Sequence, residues 1–145
     1  MSSVLSGFGP FHLLEILGEG LRSTVYRARK EGDDQEFALK VLHVTVAADD
    51  FERRAFEERS KAAMSIQGQG VVRITSTGTI DDRPYITMPL LDGLSLDRMP
   101  RRNDRFKLNS KQAGHLLHSI LTGLRQGLEA DPPLIHGRLN EGSVV

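Results

Sequence analysis

Two glycines and a lysine restrict this chain more than any other feature. From Leu17 the sequence reads L-G-E-G-L-R-S-T-V-Y-R-A, then a charged turn, then F-A-L-K-V-L with Lys40 at its centre. Gly18 and Gly20 separate an apolar run ending at Leu17 from the strand-like run Thr24–Ala28, so the stretch reads as a hairpin whose tip carries little side-chain bulk. Glycine lets a backbone approach a ligand closely and turn its N–H groups toward oxygen atoms, which suits a lid over phosphates. In the next strand-like run, Phe37, Leu39 and Val41 alternate with Ala38, Lys40 and Leu42. A charge in such an apolar segment is costly without an anionic partner. A glycine hairpin followed by an embedded lysine therefore points to a phosphate-bearing ligand.

These residues resemble the N-terminal lobe of protein kinases, particularly the bacterial serine/threonine type, whose signatures are G-x-G-x-x-G-x-V and V-A-I-K. Gly18, Gly20 and Val25 match the first, and Ala38 and Lys40 match the second; Ser23 stands where the third glycine would be. The resemblance implies ATP as ligand, held by Leu17, Gly18, Gly20, Val25, Ala38 and Lys40. Tyr85–Gly93 resembles the hinge, with Met88 at the gatekeeper position and Leu91 supplying the backbone N–H that adenine would use. Pro89 has no N–H, but the usual donor lies two residues later.

The remaining pattern gives an α+β chain. Strands are expected at Phe11–Leu17, Ser23–Arg29, Gln35–His43, Val71–Gly78 and Pro84–Leu90, with residues 1–10 as a tail. A helix is expected over Ala47–Ile66, opened by Asp49 or Asp50. The resulting expectation is a kinase-like N-lobe, a five-stranded antiparallel sheet plus one helix, over 1–92, followed by the first helices of a partial C-lobe over 93–145. Gly93–Asp97 resembles the short helix that opens that lobe. From Asn109 or Ser110 onward, Ala113, Leu116, Leu117, Ile120, Leu121, Leu124 and Leu128 recur at helical spacing and should bury one face.

In kinases a glutamate of the first helix pairs with the strand lysine. A gapless count from Val71-Val72 puts Arg59 at that position. Helical geometry, with Phe51, Ala55, Ala62 and Ile66 as the inner face, places Glu58 about as near. Glu58 is thus a candidate partner for Lys40, with Arg59 the competing assignment.

The segment Ile135-His136-Gly137-Arg138-Leu139-Asn140-Glu141-Gly142-Ser143-Val144-Val145 aligns without a gap on the catalytic loop H-R-D-L-x-x-x-N. His136 and Leu139 match. Arg138 occupies the catalytic aspartate position and Ser143 the magnesium-binding asparagine position. Arginine cannot accept a proton from a hydroxyl, and a serine hydroxyl is a poor metal ligand beside an amide. No D-F-G tripeptide occurs in the 145 residues. No catalytic or metal-binding residue is therefore assigned: ATP is a candidate ligand and magnesium is not expected. The reading is a pseudokinase-like regulatory or protein-interaction module; the alternative is the front half of a serine/threonine kinase with a divergent mechanism.

Composition narrows the rest. Lys plus Arg and Asp plus Glu number 19 each, so no net field favours nucleic acid. Cysteine is absent, which removes disulfides and thiolate chemistry. No apolar run is long enough to span a bilayer, and the N-terminus lacks a signal-peptide pattern, so the expected location is the cytoplasm. His115 and His118 share a helix flank without a third ligand in sight. Arg101, Arg102, Arg105 and Lys107 form a short basic run. A protein partner is expected at the apolar face of the last helix, and a homo-oligomer is the further candidate there.

Overall fold

The structure, a computed structural model, describes residues 5–93, 95–96, 98–99, 108–137, 139 and 141–145. The basic run at Arg101, Arg102, Arg105 and Lys107 lies outside them, as does Arg138. Two compact units are present, Met1–Ser65 with Val72–Leu90 and Ile66–Val71 with Leu91–Val145. The segment Ile66–Val71 packs with the second unit.

The first unit is built on a six-stranded antiparallel sheet, one strand more than expected. Its strands are β1 (Ser6–Phe8), β2 (Phe11–Glu19), β3 (Ser23–Lys30), β4 (Glu36–Leu42), β5 (Ser76–Ile80) and β6 (Arg83–Pro89), in the order β1-β2-β3-β4-β6-β5. The additional strand comes from the expected tail. Gly9 turns the chain at φ +53, a left-handed conformation that glycine adopts freely, and Phe8 comes back opposite Phe11. Phe8 and Phe11 meet Tyr85 edge-on at 6.0 and 5.1 Å between centroids, and Arg83 lies 5.3 Å over the Phe8 ring. β5 begins five residues later than Val71, at Ser76. It closes through Asp81 and Asp82, both at positive φ, where aspartate is among the better-tolerated residues.

Phe8, Phe11, Leu13, Ala28, Leu39 and Val41 form one buried core cluster. Leu39 and Val41 flank Lys40 in β4, so alternation puts this core on the sheet face opposite the lysine.

The expected helix Ala47–Ile66 is two helices. α1 spans Val44–Ala47 and α2 spans Asp50–Ala63. The break falls at Asp49, whose Oδ1 accepts from the N–H groups of Phe51 and Glu52 at 2.9 and 3.3 Å. α2 packs on β5 and β6, and its less exposed positions include Arg53, Phe56, Glu57 and Ser60. This corrects the expected inner face: Phe51 is 78 % exposed, and Ile66 lies beyond the helix end.

In the second unit α3 spans Ser110–Glu129. Asn109 caps it reciprocally: its Oδ1 accepts from Gln112 N–H at 2.9 Å, while its own N–H donates to Gln112 Oε1 at 3.0 Å. The buried positions of α3 are Gly123 and Gly127, and Leu117, Leu121 and Leu128 remain more than half exposed. The helix therefore uses its glycines for close packing. A Cβ on Gly123 would come within 2.6 Å of the Gly70 carbonyl oxygen, and one on Gly127 within 2.8 Å of the Leu134 carbonyl oxygen. At the resembling short-helix position, the described residues form a turn, Arg98 N–H to Ser95 carbonyl at 2.9 Å.

Candidate nucleotide site

Strand register assembles the site face. Gly18 pairs with Val25, Val25 with Lys40, and Lys40 with Ile86, a line across four strands. One step along, Ala38 lies between Arg27 and Met88. Directly opposed residues point to the same side of a sheet, so Val25, Ala38, Lys40 and Met88 share one face. Ala38 is buried, while Leu17, Val25 and Met88 are half-buried. Irregularities in the β2–β3 register between Leu13 and Glu15 and between Ile16 and Gly18 bend the strand before the glycines. Leu91, the expected adenine partner, belongs to the second unit and is 45 % exposed.

The two glycines are open to space. A Cβ on Gly18 would meet nothing within 4 Å, and one on Gly20 would meet only the Ser23 carbonyl oxygen, at 3.5 Å. Neither glycine stands at positive φ. The fold itself does not require glycine at these two positions, so what the missing side chains preserve is room outside the hairpin. Gly20 N–H donates to the Ser23 carbonyl at 3.0 Å and closes the tip.

Burial lowers the Lys40 pKa from its ordinary value by stripping water from the ammonium. Among the described residues, no carboxylate lies within ion-pair distance of it. Glu58 and Arg59 are both exposed, and no ion pair joins Glu58 to Lys40. The half-buried acids of α2 are instead Glu52 and Glu57, and Glu57 accepts from Thr79 Oγ1 at 3.1 Å. A half-buried ammonium with no carboxylate within ion-pair distance among the described residues fits an anionic ligand. Metal holding is different: among the described residues no group of three His, Asp or Glu side chains converges. Ser143 closes a short 3-10 helix, Glu141–Ser143.

One connection has no local signal in the sequence. The Arg22 guanidinium, in the tip turn of the glycine hairpin, forms an ion pair with Glu52 in the first turn of α2. The Arg22 carbonyl accepts from His43 N–H at 2.8 Å, and His43 Nε2 lies 2.9 Å from Thr24 Oγ1. The descending leg of the hairpin is thereby fastened to the start of the helical segment.

The protein kinase domain family matches residues 11–127. The serine/threonine-protein kinase PknE of Mycobacterium tuberculosis is 33 % identical over 95 residues, which cover 66 % of this chain and 17 % of PknE. The serine/threonine-protein kinase PrkC of Bacillus subtilis is 28 % identical over 116 residues, covering 80 % of this chain and 18 % of PrkC. The solved kinase domain of Mycobacterium tuberculosis PknI superposes with a TM-score of 0.74 at 23 % identity, over 97 % of this chain and 56 % of that domain. The chain thus spans less than a fifth of its curated relatives and about half of a solved kinase domain. With the glycine hairpin, the embedded lysine and the antiparallel sheet all in the family's arrangement, this chain belongs to the protein kinase domain family.

Proposed function

We propose that this chain is the nucleotide-binding part of a pseudokinase-like regulatory or protein-interaction module, acting in the cytoplasm. It takes ATP, or another nucleotide with a polyphosphate, without ordinary phosphoryl transfer. The observation that carries the binding half is Lys40, half-buried on the Val25–Ala38–Met88 face with no carboxylate beside it among the described residues. When bound, the phosphates would supply the counter-charge, with Gly18 and Gly20 leaving room for their approach. The sequence supports the other half. Arg138 in place of the catalytic aspartate offers no acceptor for a substrate proton, and Ser143 weakens the metal position.

A thermal-shift titration with ATP, with and without magnesium, on the chain and on Lys40→Ala tests both halves. Ligand at about 100 times its dissociation constant should add roughly 2.7 kcal/mol of stability. The expected result is a shift that does not depend on magnesium and is lost in the variant. No shift in the unmodified chain would end the nucleotide reading. Magnesium-dependent transfer of the terminal phosphate to protein hydroxyls would instead establish a working kinase with a base from elsewhere.

A further inference from the structure

The ion pair between Arg22 and Glu52 sits where the glycine hairpin and α2 meet, and its surroundings are fixed on both sides. On the hairpin side, the Gly20–Ser23 turn and the bond from His43 N–H to the Arg22 carbonyl hold the backbone that carries the guanidinium. On the helix side, Glu52 is the second of the two residues whose N–H groups Asp49 caps. Arg53 anchors the same turn, donating to the Ala47 carbonyl at 3.4 Å and to Asp50 Oδ1 at 2.6 Å. The Arg22 and Glu52 side chains keep 40 % and 32 % of their surface exposed, so the pair can open without leaving a buried charge. Glu58, by contrast, reaches neither the hairpin nor Lys40 through any ion pair in the structure. Among the described residues, the ion pair from α2 to the glycine hairpin is made from its first turn.

We propose that Arg22 and Glu52 are positioning residues that couple α2 to the glycine hairpin, replacing a lysine–glutamate pair as the connection between helix and nucleotide. The proposal rests on the nucleotide reading above for its consequence, and on the hairpin's own order for its existence. With the pair formed, the tip turn and the glycine backbone keep one arrangement beside the Lys40 face. With it broken, the loop frays and phosphate grip weakens, while the aromatic core on the opposite face is untouched.

The test is a charge-swap cycle on the full chain: Arg22→Glu, Glu52→Arg, the double exchange, and Glu58→Gln as a control. Amide hydrogen exchange of residues 18–24 is read without ligand, and a fluorescent ATP analogue is titrated in parallel. Each single exchange should speed loop amide exchange and weaken nucleotide binding by about two- to fivefold, the range a part-exposed ion pair can transmit. The double exchange should restore both, and Glu58→Gln should change neither. Single variants with wild-type loop exchange, or a double variant no better than the singles, would overturn the coupling. If the unmodified chain binds no nucleotide, the functional reading fails by itself, and the exchange data still decide whether the pair orders the loop.

Discussion

Lys40 is the residue whose environment makes the most direct demand. Its ammonium is held in a partly dehydrated site without a carboxylate beside it among the described residues, and its pKa is lowered for that reason. The unfolded chain therefore binds its proton more tightly than the folded one. Between the lowered folded value and the ordinary lysine value, stability contributed at this position rises with pH. Below that window the full burial cost is present; above it lysine is neutral in both states and the cost disappears. Lys40→Met should consequently be more stable than the unmodified chain at neutral pH, with the difference shrinking as pH rises toward about 11. Urea unfolding of both proteins at several pH values measures it, and a difference that widens with pH would contradict the sign. The face around Lys40 was legible beforehand because strand alternation is strict: Ala38 and Lys40 had to share a side. Its partner was not, since helical phase near residue 58 divides Glu58 from Arg59 by a single step.

At the scale of the element, α3 separates what a sequence pattern reports from what packing uses. Its extent was readable, because the apolar spacing persists from Ala113 to Leu128 and Asn109 supplies a cap. Its closest contacts were not, because they are made by Gly123 and Gly127, which a hydrophobic period does not register. Gly114 lies in the same helix with nothing within 4 Å of where a Cβ would go. Gly114→Ala should therefore stabilise the chain by up to about 1 kcal/mol through helix propensity alone. Gly123→Ala receives the same benefit but drives a methyl group to 2.9 Å from Val71 Cγ2 as well as against the Gly70 carbonyl. Overpacking of this kind costs about 1–3 kcal/mol, so a net loss is expected. Denaturant midpoints of the two variants should move in opposite directions. α2 was misread for a related reason: Arg53, Glu57 and Ser60 are polar, so the stripe of apolar residues indicated Phe51, which stands in solvent. β1 escaped notice because S-G-F is too short to show alternation, and its pairing depends on a glycine turn. The Arg22–Glu52 pair joins residues too far apart in sequence for any local pattern to reveal.

For the molecule as a whole, equal numbers of acidic and basic groups set colloidal behaviour. With a calculated pI near 7.0, intermolecular repulsion is weakest at neutral pH. Leu117, Leu121 and Leu128, each more than half exposed on α3, give the chain apolar surface to bring together there. Light scattering against pH should show self-association greatest near pH 7.0 and falling on either side. A flat profile would mean that net charge does not govern association.

The division of the sheet has a further consequence for how such a protein can change over time. Its aromatic core, from Phe8 through Phe11 to Tyr85, lies on the side away from Lys40. The aromatic contacts that support the sheet and the candidate ligand-facing positions Val25, Lys40 and Met88 thus lie on opposite faces. Changes at Val25, Lys40 or Met88 leave that aromatic cluster in place. Substitutions on the Lys40 side can then accumulate over generations without disturbing the aromatic cluster behind it.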